Sequence, residues 1–262
     1  MQEEETGAGS NTFQLQASNI FALSELGKIL SAFRQNTVPV LLLKGASLLS
    51  TVYKKTLIRS IADLDLLVHP RDLPKADVAM SQCGYTQLSH NWGNHVTYHK
   101  GSPLSIPVEI HWDLFNTKNP LEKYAFRINT EEFWNSIEPV AVGTETGQVM
   151  SPENQVIYLC CHLLKESYAD EKWTKDIDLV VRYYQDRIDW QELASRAARY
   201  KVRKTVWFAL SYVNRFYGTR LPENLMESLG QTGPGSYERH IMQRLFRNKR
   251  IGRLRLLGLY LS

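Results

Sequence analysis

Two aspartates separated by a single residue, Asp63 and Asp65, interrupt the otherwise apolar run Ile61 to Val68. If that run is a strand, period-two geometry puts both carboxylates on one face about 6.6 Å apart, with Leu64 and Leu66 turned to the core. At an effective dielectric near 20 two such charges repel by roughly 2.5 kcal/mol. A divalent hard cation with oxygen ligands would relieve this; exposed aspartates on an edge strand would also tolerate it, and spacing alone leaves both open. Glu109, in the alternating run Val108-Glu109-Ile110-His111-Trp112, can supply a third carboxylate from a neighbouring strand. Three carboxylates around Mg²⁺ are the apparatus of in-line phosphoryl or nucleotidyl transfer, where catalysis is mostly positioning and charge neutralisation.

Cationic residues flank this set. Lys44-Gly45 closes a short apolar strand where a helix should begin, so backbone N–H groups there suit phosphates. Lys44 itself reads as a phosphate ligand or as a strand-end lysine reaching solvent. Arg59 reads as a bidentate phosphate clamp or as a partner of Asp63 or Asp65. His111 shares a strand face with Glu109, so it reaches the site or packs against backbone; a metal role is not expected of it.

The elements that must hold these residues follow from periodicity. Leu15, Ile20, Leu23, Leu26, Ile29, Leu30 and Phe33 recur at helical spacing and predict an amphipathic first helix. Strands are expected over Val38 to Leu43, Ile61 to Val68, Val96 to His99 and Ile106 to Trp112, with helices over Gly45 to Tyr53 and Pro70 to Cys83, the latter stopped by Gly84 in a left-handed conformation. Beyond Asn129 nearly every segment has helical periodicity. Ser151-Pro152 is a cap followed by a first-turn proline, and further helices are expected over Trp173 to Tyr184, Trp190 to Tyr200, Val202 to Tyr217 and from Ser236 onward. The expected organisation is α+β: a disordered lead-in over 1–12, a catalytic domain over 13–128 and an all-helical domain over 129–262.

Of the 262 residues, 43% are hydrophobic and 11% aromatic, enough for two modest cores. Cys83, Cys160 and Cys161 make a poor disulfide framework and lack metal-ligand spacing, which points to a reducing cytoplasm. The acidic N-terminus does not resemble a secretory signal, and the longest apolar stretch, Val38 to Leu49, is far short of a membrane span. The net charge of +4 comes from the tail: Arg239 to Ser262 has basic residues and no acidic ones, so the rest is slightly acidic and offers little reason to expect a nucleic-acid groove. Arginines and leucines mix from Arg244 to Leu261, as in a final core helix with a basic outer face or a helix docking on a partner or membrane surface. The chain ends on an apolar run, as a truncated chain would.

The run Leu42-Leu43-Lys44-Gly45-Ala46, then Arg59, then Asp63-Leu64-Asp65-Leu66-Leu67-Val68 with Pro70, Asp72 and Leu73, resembles an uncharacterised bacterial nucleotidyltransferase family of the DNA polymerase β-like superfamily. The similarity continues through Gly84-Tyr85, Val108 to Trp112, Ser151-Pro152-Glu153, Leu159 to Leu163 and Asp176-Ile177-Asp178-Leu179 with Asp189-Trp190, covering about Leu41 to Leu221. It implies a polymerase β-like mixed sheet, Asp63 and Asp65 as metal ligands, and Glu109 as the third carboxylate. Mg²⁺ is the implied metal, with Mn²⁺ as an alternative, and an NTP the implied substrate. The wider superfamily has Gly-Ser after the first strand; here the pair is Gly45-Ala46 with Ser47 next, which leaves phosphates to backbone amides, Lys44 or Arg59.

The acceptor side is expected to involve His111, His162 and Asp176. His162 also reads as a packed histidine of an apolar helix, and Asp176 as a helix-start charge. The sequence therefore predicts an enzyme that moves a nucleoside monophosphate from an NTP to an unidentified acceptor: a small molecule, a protein or RNA. Glu109 could assist deprotonation of that acceptor, and an Asp65→Asn change is expected to spare the fold or stabilise it slightly. The contrasting readings are a non-catalytic nucleotide- or partner-binding module that kept the fold, and a toxin-like RNA-modifying transferase.

Overall fold

The computed structural model describes residues 2–91, 93–102, 105–116 and 118–230. The basic tail and the helix expected from Ser236 lie outside the described residues.

The chain divides into two compact units, one formed by Met1–Leu114 with Trp134–Met150, the other by Phe115–Phe133 with the residues from Ser151. The first unit carries a seven-stranded mixed sheet in the order β3-β4-β5-β2-β1-β7-β6. Its strands are β1 (Leu41–Leu42), β2 (Leu64–Leu67), β3 (Thr86–Asn91), β4 (His95–His99), β5 (Val108–His111), β6 (Ile137–Val142) and β7 (Glu145–Met150). β2 runs parallel to β5 and antiparallel to β1, while β1 runs parallel to β7.

One face of the sheet is covered by two helices, α1 (Gln2–Gln35) and α3 (Leu73–Gln82). Leu26, Ile29 and Phe33 of α1 and Ala76, Ala79 and Met80 of α3 pack in one core with Leu42, Leu64, Leu66, Val108, Ile110 and Val149. Strand alternation then commits Asp65, Glu109 and His111 to the other face. The short α2 (Lys44–Ser50) leaves β1 directly, with residues 45–50 all buried. α3 is preceded by a 3-10 turn at Pro70–Asp72 and followed by Gly84 at φ 78°, the left-handed stop its sequence predicts.

In the second unit, α4 (Pro120–Ala125) and α5 (Thr130–Trp134) precede α6 (Pro152–Lys165), α7 (Glu171–Tyr183), α8 (Trp190–Arg199), α9 (Arg203–Tyr217) and α10 (Leu225–Leu229). Ser151 caps α6 through its hydroxyl, which accepts from the Asn154 N–H, and Asp170 and Asp189 cap α7 and α8 in the same way. α9 ends at Gly218, which is left-handed.

Three expectations need correction. Residues 2–12, expected as a disordered lead-in, belong to α1, which runs unbroken into the segment of helical apolar spacing from Leu15. The boundary at 128/129 is displaced, because residues 115–133 group with the helical unit and residues 134–150 with the sheet. The segment after Asn129 is also not all helical: β6 and β7 form a hairpin about Gly143 (φ 61°) that extends the sheet beside β1. β6 buries only Val142 fully, so its alternation is a weak signal, and the hairpin is secured by pairing with the distant β1.

Candidate active site

The aspartate strand is shorter than its apolar run. β2 starts at Leu64, which leaves Asp63 in the bend before it and Asp65 as its second residue. Parallel pairing of β2 with β5 puts Asp65 opposite Glu109 and Leu67 opposite His111. Antiparallel pairing of β4 with β5 puts His95 opposite His111. One face of three adjacent strands therefore carries His95, then Glu109 and His111, then Asp65. Lys44 enters from the far side, where the Leu43 N–H donates to the Asp65 carbonyl at 3.0 Å.

The side chains close on one another. Asp63, Asp65 and Glu109 each offer an oxygen, and the three oxygens lie within 4.8 Å of one another. Lys44 Nζ is 2.6 Å from Asp65 Oδ1. His111 Nε2 lies 3.0 Å from Asp65 Oδ1 and 3.3 Å from Glu109 Oε2. His95 Nε2 is 3.6 Å from Glu109 Oε1, and the two imidazole centroids are 4.8 Å apart. Lys44 thus does not extend to solvent: it neutralises Asp65 and has a left-handed backbone (φ 39°).

The electrostatics split the two aspartates. Burial, reinforced by the Asp65 charge, lifts the Asp63 carboxyl to about 6. Burial also acts upward on Asp65, but the Lys44 ammonium and the His111 ring outweigh it and hold that carboxyl well below the carboxylate range. Burial opposes ionisation of Glu109 too, and the His111 hydrogen bond again prevails, so its affinity for a proton is lowered. Burial and the neighbouring His111 bring His95 down to about 4. Three carboxylates with one close ammonium leave surplus negative charge on Asp63, and an all-oxygen set of this size fits a hard divalent cation.

Around this centre, Gly45 is held where no side chain fits: a Cβ there would lie 2.6 Å from Ile61 Cγ2 and 2.8 Å from Arg59 Nη1. Arg59 is buried and lies against α2, and the loop before it is fixed by Asn19 of α1, whose amide donates to the carbonyls of Leu57 (2.7 Å) and Arg59 (2.9 Å). Ser47 is buried inside α2. In the helical unit, His162 is buried in α6 between Tyr158 and the edge of Trp173. Asp176, in α7, has no exposed surface.

Asp63, Asp65, Glu109 and His111 therefore lie together, with Lys44, Gly45 and Arg59 at their border, although Asp63 sits in the bend before β2 and not in the strand that the spacing predicts. Sequence reasoning missed His95 and Asn19. The signal for His95 was the Gly-Ser-Pro turn between β4 and β5: a hairpin about it sets His95 across from His111. Asn19 is a lone amide in a helix, and its role comes from a loop distant in sequence.

Comparison with known proteins gives the sequence a family. No curated protein matches this sequence. Among solved structures, the antibiotic-resistance factor ANT(2'')-Ia in solution is similar at 11% identity and TM-score 0.46, over 76% of this chain and 94% of that one. ANT(2'')-Ia in complex with adenylyl-2''-tobramycin gives 11% and 0.48 over 70% and 98%. An antigenic nucleotidyltransferase-like protein from Paracoccidioides brasiliensis gives 13% and 0.44 over 79% and 91%. The family described as uncharacterised nucleotidyltransferase matches residues 9–218, four-fifths of the sequence with Asp63, Asp65 and Glu109 inside it, and the chain belongs to that family.

Proposed function

We propose that the protein transfers a nucleoside monophosphate from an NTP to an acceptor hydroxyl or phosphate, releasing pyrophosphate, with Mg²⁺ or Mn²⁺ held by Asp63, Asp65 and Glu109. The observation that carries this reading is the convergence of three carboxylates, from β2, the bend before it and the adjacent β5, within 4.8 Å. A bound divalent cation would supply charge neutralisation at the phosphates.

The chain's own residues do the positioning. His111 donates toward both Asp65 and Glu109 and keeps the two side chains aligned across β2 and β5. The lowered proton affinity of Glu109 suits ligation better than the deprotonation of an acceptor. Lys44 balances the Asp65 charge, a role that a cation at the carboxylates would take over. Lys44, the Gly45 backbone, Ser47 and Arg59 are assigned to the triphosphate, and His111 to the acceptor. No described helix is long and apolar enough to cross a membrane. Cys83, Cys160 and Cys161 are all free thiols, which favours a cytoplasmic setting.

The test is incubation of the full chain with each α-labelled NTP, Mg²⁺ or Mn²⁺ and cell extract. Label should move to an acceptor with release of pyrophosphate, and Asp63→Asn or Asp65→Asn should abolish it. NTP binding with no transfer from any NTP into any extract fraction would overturn the reading and leave a binding module.

A further inference from the structure

Beside the all-oxygen set lies a second group of donors with a different preference. His95, Glu109 and His111 each offer one atom, and these atoms too lie within 4.8 Å of one another. We infer that these three residues form a second cation subsite, selective for a nitrogen-preferring divalent ion of the Zn²⁺ class and sharing Glu109 with the Asp63/Asp65 set. The inference rests on side-chain geometry and holds whether or not the protein transfers nucleotides.

His95 is already set for ligation through one nitrogen. Asn94 is buried, and its amide NH₂ donates to the Asp113 carbonyl at 3.1 Å, which turns its oxygen toward the ring. That oxygen lies 3.2 Å from His95 Nδ1, so Nδ1–H donates there and Nε2 is the nitrogen that faces Glu109. A polar partner on the far nitrogen is how proteins orient metal-ligating imidazoles. The separations also suit a small ion. With Zn–N and Zn–O bonds of about 2.0–2.2 Å, neighbouring ligand atoms of a tetrahedron stand about 3.3–3.5 Å apart; here His111 Nε2 stands 3.3 Å from Glu109 Oε2 and His95 Nε2 3.6 Å from the other oxygen, Oε1, so the carboxylate has an imidazole at each oxygen and need only turn one oxygen toward both rings.

His111 Nδ1 completes the argument. It is buried and has no hydrogen-bond partner among the described residues, so Nδ1 can take up the ring proton without breaking a bond, while the two carboxylates hold that proton on Nε2 in the metal-free ring. Ligation through Nε2 moves the ring proton to Nδ1, and the cation takes the place of that proton between His111 and Glu109. Two imidazoles and one carboxylate favour Zn²⁺ or Co²⁺ over Mg²⁺, which demands oxygen.

The experiment is titration of the chelator-stripped full chain with Zn²⁺ in the presence of excess Mg²⁺, followed by Co²⁺ as a spectroscopic probe. One Zn²⁺ per chain is expected, with affinity lowered about a hundredfold in His95→Gln and little changed in Asp63→Asn. Wild-type protein with one equivalent of Co²⁺ should show intense visible bands and magnetic coupling to imidazole nitrogen. Unchanged Zn²⁺ affinity in His95→Gln, loss in Asp63→Asn alone, or no Zn²⁺ uptake against Mg²⁺ would overturn the inference. If His95→Gln does not fold, the nitrogen coupling in wild-type protein decides, and its absence overturns the inference. None of these readouts depends on nucleotide transfer.

Discussion

Asp65 accepts from Lys44 and His111, whereas Asp63 meets burial and a like charge, so equal side chains two residues apart are opposite in energy. Asp65→Asn should therefore destabilise the metal-free protein by about 2–4 kcal/mol in urea unfolding, because it strands a partly buried ammonium. This reverses the expectation from spacing alone, which counted the repulsion and not the ammonium. Asp63→Asn should instead stabilise it by about 1–2 kcal/mol at neutral pH. The sign with pH follows from the same shift. The folded state holds the Asp63 proton up to about 6, against 3.8 for a free aspartate side chain, so it binds more protons than the unfolded state between those limits. The stability this confers is fully present below the lower limit and lost as pH rises through the upper one. Cation affinity should move the other way, rising with pH to about 6 and then levelling; calorimetric titration with Mn²⁺ checks this, and Asp63→Asn should flatten the profile. The carboxylates were legible in the sequence because strand alternation is local. The destination of Lys44 was not, because it depends on the pairing of β1 with β2 across the intervening helix and loop, and His95 was missed because its place depends on the register of the β4–β5 hairpin.

At the scale of elements, the junction of β1 and α2 is the least forgiving place. Gly45→Ala would push a methyl into Ile61 and Arg59, and should cost about 1–3 kcal/mol while displacing the Arg59 guanidinium; a thermal melt and the NTP affinity read the two effects separately. Asn19→Ala should cost a similar amount, since the buried Arg59 carbonyl and the part-buried Leu57 carbonyl lose their donor. The helices were readable from caps and spacing: α6 starts where Ser151-Pro152 predicts, and α7, α8 and α9 fall within a few residues of their expected limits. The strands were harder. β1 has only two residues, and its place in the sheet is set by β2 on one side and β7 on the other. The hairpin of β6 and β7 was hidden among helical segments because Glu138 and Glu145 share the face of Val140, Val142 and Val149, and tertiary pairing stabilises what local propensity does not.

For the whole molecule, Asp176 probes the helical unit: it is fully buried in α7, so Asp176→Asn should lower the thermal melt while leaving Mn²⁺ and NTP binding within about twofold, and an unchanged melt would show that its burial does not matter to the fold. Chain crossings between the units occur after Leu114, after Phe133 and after Met150. A protease cut in any one linker therefore leaves the two units joined, and truncation at residue 128 would strip β6 and β7 from the sheet. The pairing of Leu41 with Gln148 has a further consequence for synthesis on the ribosome. β1 leaves the exit tunnel long before its parallel neighbour exists, so the nascent sheet waits with an open seam beside Leu41 until the hairpin has been translated. Because closing so large a loop is slow, this seam is where a chaperone or a misfolding partner would first find the chain.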